Sequence, residues 1–297
     1  MKKSSIVTMV IGVALIAASL AIVRLDGSTS LWDRFVAAGD VNYTAEEKEL
    51  NVDGIKKVTT HLTNSGITVR PDAAPGKIKV DYFQTNTKRF EVEISGDSLN
   101  ITEIVDRWQW QVFDFQSWQA GPVVIHVPAD FVVDYDLRTE NGRVELADMT
   151  TGRLDIYTSN GAVELMGKMK TGELTAETSN GRIWLDTVEA EFAHLKTSNG
   201  EINLGEVKAG VVGARTSNGK INFVRLDSGD ITLTTSNGGI TGLIVGREAD
   251  FSKDLRTSIG EITVGDASFR DKMVSSQGSK TLTATTSNGA IWLNFTD

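Results

Sequence analysis

The chain opens on an apolar run and then changes period. No charged residue occurs between Ser4 and Val23; Lys2 and Lys3 precede the run and Arg24 ends it. Twenty residues at about 1.5 Å rise make roughly 30 Å of helix, the thickness of a bilayer core. The two leading lysines place the N-terminus in the cytoplasm and the remainder outside it. Ala17, Ala18, Ser19 and Ala21 also suit a signal-peptide cleavage site, although the run is longer than a usual h-region. Both readings export the rest of the chain. Residues 1–24 are expected to be a single-pass transmembrane anchor or an uncleaved signal. Residues 25–52, mixed and charged at Glu46, Glu47, Lys48 and Glu49, are expected to be a juxtamembrane stalk.

Alternation begins at Ile55, less regularly than farther along the chain. Val58 to Leu62, Gly66 to Val69, Lys77 to Tyr82, Phe90 to Ile94 and Leu99 to Val105 each read as a strand with one buried face. Farther on the alternation becomes a repeat. Thr158-Ser159-Asn160-Gly161 is followed by Ala-Val-Glu-Leu, and the same phrase recurs at Asn180-Gly181, Asn199-Gly200, Asn218-Gly219, Asn237-Gly238 and Asn288-Gly289, with Asn141-Gly142 in a Thr-Glu-Asn-Gly variant and Gly260 in a Thr-Ser-Ile-Gly variant. The glycines at 142, 161, 181, 200, 219, 238, 260 and 289 are 19, 20, 19, 19, 19, 22 and 29 residues apart, so the last two coils carry insertions.

Asn-Gly suits a corner because both residues tolerate positive φ. In isolation it would suggest hairpins. A meander of hairpins, however, needs neither a fixed period nor identical corners, whereas a solenoid stacks equivalent residues from coil to coil. The pattern therefore predicts an all-β, single-chain parallel β-solenoid of ~19–20-residue coils, each with two short strands, preceded by the N-terminal helix. Residues 53–121 are expected to be irregular N-terminal coils or a cap, and 122–297 the regular solenoid. Threonines and asparagines stacked about 4.8 Å apart should form ladders. Arg182, Glu201 and Lys220 share an outward slot with alternating sign, which favours stacking of neighbours.

Composition narrows the chemistry. Cysteine is absent, which excludes disulfides, thiolate metal sites and cysteine nucleophiles. The three histidines, His61, His126 and His194, do not stand at metal-ligand spacing, and His126 and His194 have no evident partner. The formal net charge of −9 argues against nucleic acid. No cofactor is expected. Asp130, Asp134 and Asp136 form the nearest approach to an acidic cluster; a polysaccharide-active enzyme would need such paired carboxylates, but a solvated strand edge is the preferred account of them. Trp108, Trp110 and Trp118 form either a stacking platform for sugar rings or a hairpin closing the open end of the stack. Trp184 and Trp292 sit on outward phases, far apart in repeat order.

The Thr-Ser-Asn-Gly phrases, the lead-in Val52-Asp53-Gly54-Ile55-Lys56-Lys57-Val58 and the N-terminal run together resemble a bacterial β-strand-repeat family of unknown function labelled "putative adhesin". Its membrane-anchored members include LiaG-like proteins linked to an envelope-stress operon of Gram-positive bacteria. The resemblance covers roughly residues 52–297. It implies a β-solenoid at the cell envelope with no established enzymatic activity and no catalytic residues to carry over. The expected contacts are the membrane through the N-terminal helix, a cell-wall glycan or another envelope protein, and further copies of the chain through the solenoid ends.

Overall fold

The computed structural model describes residues 44–85, 88–105 and 121–296. The expected membrane helix, residues 25–43 of the stalk and the Trp108, Trp110 and Trp118 cluster lie outside the described residues. No helix among the described residues is long and apolar enough to cross a membrane.

The chain lays down β1 (Thr44–Asn51), then a first coil of β2 (Lys57–Leu62) and β3 (Ile67–Arg70). β4 (Lys77–Gln84), β5 (Lys88–Ser95), β6 (Ser98–Val105) and β7 (Val123–His126) come next. The regular coils comprise β8 (Asp134–Thr139), β9 (Val144–Ala147), β10 (Arg153–Thr158), β11 (Val163–Lys170), β12 (Glu173–Glu177), β13 (Ile183–Lys196), β14 (Ile202–Arg215), β15 (Ile221–Thr234) and β16 (Ile240–Ile244). β17 (Phe251–Ile259), β18 (Ile262–Val264), β19 (Ala267–Phe269), β20 (Lys272–Ser275), β21 (Lys280–Asn288) and β22 (Ile291–Phe295) complete it.

Successive coils pair in parallel, so the strands form two files with the core between them. Alternation produces this directly. On one file Val163, Ile183, Ile202, Ile221 and Ile240 stack inward with no exposed surface; on the other, Leu154, Leu174, Ala193, Val212 and Ile231 do the same with 3 % exposure or less. Each large aliphatic side chain so buried contributes roughly 1.5–3 kcal/mol. The three central coils depart from the two-strand expectation. β13, β14 and β15 each run 14 residues through both files, bending at small residues such as Ala209-Gly210 and Ser228-Gly229. There the Ser228 hydroxyl donates to the Gly210 carbonyl at 3.0 Å.

The Thr-Ser-Asn-Gly corners are built differently from the expectation. Their glycines do not adopt positive φ. Glycine is required by close approach: a Cβ on Gly161 would sit 1.7 Å from the Gly142 carbonyl oxygen, and one on Gly200 would sit 1.8 Å from that of Gly181. The threonine turns inward and clasps two coils. The Thr197 hydroxyl accepts from its own Gly200 N–H at 3.2 Å and donates to the Gly181 carbonyl at 2.9 Å. The asparagines form the expected ladder. Asn141, Asn160, Asn180, Asn199, Asn218, Asn237 and Asn288 each donate from Nδ2 to the preceding Oδ1 at 2.7–2.8 Å, starting from Asn64.

The order of the coils at each end differs from the order in sequence. β21 lies between β15 and β17, and β22 between β16 and β18. The coil carrying Gly289 thus stacks on that of Gly238, and the coil of Gly260 lies outside it. The N-terminal end mirrors this. β2 lies between β6 and β8, and β3 between β7 and β9, so the first coil is held one rung inside the stack. Antiparallel strands then finish both ends: β5 on β6, β4 on β7 and β1 on β4, and, opposite, β20 on β17 and β19 on β18. Residues 44–51, read as stalk, are therefore an edge strand of the β unit. Seven of its eight residues are exposed, so it carries no alternation that would reveal it.

Candidate binding surfaces

Strands position every outward side chain, so the surface consists of axial columns one rung apart. A concavity of about 580 Å³ runs along the axis beside the corners. Its walls include Arg138, Tyr157, Glu177 and Lys196, successive outward residues of one column, and Ser159, Ser179 and Ser198 from the corners. The Arg138 guanidinium stacks on the Tyr157 ring, 4.4 Å from its centroid, and Lys196 pairs with Glu177 at 3.1 Å. Burial, followed by the Asp155 and Glu177 charges, pushes the Tyr157 hydroxyl up, so it stays a hydrogen-bond donor at neutral pH. The three serine hydroxyls have no side-chain hydrogen bond among the described residues and form a regular file.

The acidic cluster does not assemble. Asp136 accepts from Arg138 Nε at 2.7 Å and Lys57 Nζ at 3.2 Å. Burial pushes its carboxyl up, but those two cationic hydrogen bonds outweigh it and hold the group below the ordinary carboxylate range. Asp134 accepts from the backbone N–H of Arg153 at 2.8 Å. Asp130 is exposed, with no ion pair among the described residues. No group of metal-ligating side chains forms among the described residues.

Two further readings are corrected. His126 has partners, with Nδ1 at 2.5 Å from Asp72 and Nε2 at 3.2 Å from Asp81; Asp72 lies in the loop after β3 and Asp81 within β4, both remote from His126 in sequence. The Arg182, Glu201 and Lys220 column holds no ion pair among the described residues. Arg182 turns instead to Glu164 at 2.6 Å, and Arg143 reaches the same carboxylate from the other side at 3.3 Å.

The corner residues Asn141 to Gly289 sit together as one edge of the stack. Trp184 and Trp292 occupy a single outward column, in the order Glu164, Trp184, Asn203, Asn222, Thr241 and Trp292. The sequence separated the two indoles by an additional coil, which the reordering of the last coils removes. They are 41 % and 56 % exposed.

Comparison with known proteins places this architecture. A solved "putative adhesin" from Parabacteroides distasonis is 14 % identical, with a TM-score of 0.53 over 87 % of this chain and 98 % of that one. A "putative adhesin" from Bacteroides fragilis is 13 % identical, with a TM-score of 0.44 over 85 % and 97 %. A "putative lipid binding protein" from Parabacteroides distasonis is 13 % identical, with a TM-score of 0.38 over 86 % and 98 %. No curated protein matches the chain. The model of the family described as Toastrack DUF4097 matches residues 55–294, and the chain belongs to that family.

Proposed function

We propose that the chain is a non-enzymatic envelope protein, tethered by its N-terminal apolar run, whose solenoid binds or scaffolds outside the cytoplasmic membrane. The observation that carries this reading is how the outward polar groups are used. Two of the three acids nearest to a cluster are engaged, Asp136 by Arg138 and Lys57 and Asp134 by a backbone N–H. What faces outward is periodic: a file of serine hydroxyls beside a ladder of amides. A periodic surface suits an extended partner better than a small substrate. Two adhesin-labelled proteins among the similar solved structures and the resemblance to anchored, stress-linked relatives point the same way, toward cell-wall glycan or another envelope protein at the surface of a Gram-positive cell.

The absence of native cysteine makes the test simple. A Ser179→Cys variant places one thiol on the exposed corner. A membrane-impermeant maleimide should label it on intact cells, and the protein should sediment with membranes. Labelling only after lysis would overturn the proposal.

A further inference from the structure

We infer that the outward column from Trp184 to Trp292 is a binding strip for a neutral, linear, β-linked glycan. The inference rests on the proposed export of the domain and names the ligand and the site. Four rungs separate the two indoles, about 19 Å at the spacing of paired strands. Between them stand only short side chains, Asn203, Asn222 and Thr241, so both rings project from the sheet. A pyranose ring has an apolar C–H face that stacks on an indole, and equatorial hydroxyl or acetamido groups that pair with amides.

The floor offers both kinds of partner. Asn222 Nδ2 donates to Asn203 Oδ1 at 2.9 Å, which leaves the Asn222 carbonyl as an acceptor and the Asn203 amide as a donor. The Thr241 side chain is exposed. The column follows the solenoid axis, which an extended chain can track. Charge selects against a polyanion: the protein carries −9 overall, and two acids, Glu164, held by Arg143 and Arg182, and Glu145, continue the column beyond Trp184. The two rings are separated by amides rather than merged in one apolar patch, which favours a glycan over a protein surface.

The full-length chain in detergent should be titrated with a short and a long member of the chito-oligosaccharide series. The long member, able to reach both indoles, should bind about tenfold more tightly than the short one. Trp184→Ala and Trp292→Ala should each abolish that advantage, whereas Phe192→Ala, an exposed aromatic on the other file, should leave it unchanged. Equal binding by all variants would overturn the strip, as would failure of the wild-type chain to bind either oligosaccharide. Neither result alters the Ser179→Cys labelling, so the two proposals fail separately.

Discussion

At the scale of the residue, the repeated threonine matters for what it joins. Thr197 satisfies a backbone donor of its own coil and a backbone acceptor of the preceding one while buried at 2 % exposure. Thr197→Val keeps the shape and leaves both groups unpaired. It should destabilise the protein by about 1–3 kcal/mol in denaturant unfolding, with Thr197→Ser recovering much of the loss. Gly200→Ala forces a methyl against a backbone carbonyl that cannot yield, at a cost of about 3 kcal/mol. Tyr135 presents the opposite case. Its hydroxyl is buried without a partner among the described residues, and burial alone holds it well above the ordinary tyrosine range. Tyr135→Phe should therefore unfold at the same or higher denaturant concentration than the parent. Asp136 carries a pH signature. Its folded pKa lies below the ordinary value of 3.8, so its stabilisation is complete above that value and is lost as pH falls through the lower folded one. Asp136→Asn should flatten the acid limb of the stability–pH curve while leaving its shape unchanged between roughly pH 6 and 8.

At the scale of the element, the ends show how the stack is closed. A parallel stack exposes strand edges that would template further pairing. At the N-terminal end β5 turns Lys88 inward against Glu103, whose side chain has no exposed surface. The Glu103 carboxylate accepts from the N–H groups of Thr63 and Asn64 at 2.7 and 3.0 Å, taking the place a preceding coil's carbonyls would occupy. At the other end Lys253 fills an inward slot of β17 and pairs with Glu248 at 3.0 Å, and Ile259 ends the asparagine ladder with a side chain that cannot continue it. Glu103→Ala should cost about 3 kcal/mol or more, because it leaves corner donors unpaired and removes the carboxylate that faces the buried Lys88. Much of this was invisible in the chain. Regular coils announce themselves through alternation and repeated corners, and their columns were legible residue by residue. The swapped order of the end coils was not, because the phrase around Gly289 is as regular as that around Gly238 and carries no mark of its neighbour. The steric reason for the corner glycines was hidden likewise, since a close approach and a positive φ select the same residue.

At the scale of the molecule, the described unit is one core threaded by a chain whose first and last coils are each locked one rung inside the stack. Both outer edges are antiparallel, and β1 and β5 carry charge along them. Light scattering of the full-length chain in detergent should therefore show no growth with concentration, whereas a chain ending before Lys280 should aggregate, because it uncovers one edge of each neighbouring coil. Of the candidate surfaces, the sequence located the two outward tryptophans but not their alignment, which depends on the reordered coils. Asp134 and Asp136 share a strand phase, but that phase says nothing about which cations the adjacent coils bring. The reordering is therefore the claim on which the account turns. In this cysteine-free chain, Ser236→Cys/Ser287→Cys places two thiols one rung apart, about 4.8 Å, within disulfide reach, and Ser236→Cys/Ser258→Cys places them two rungs apart, beyond it. Oxidation followed by non-reducing electrophoresis should show an intramolecular crosslink in the first variant and none in the second; a crosslink in the second and none in the first would show that the coils stack in sequence order and would contradict the account.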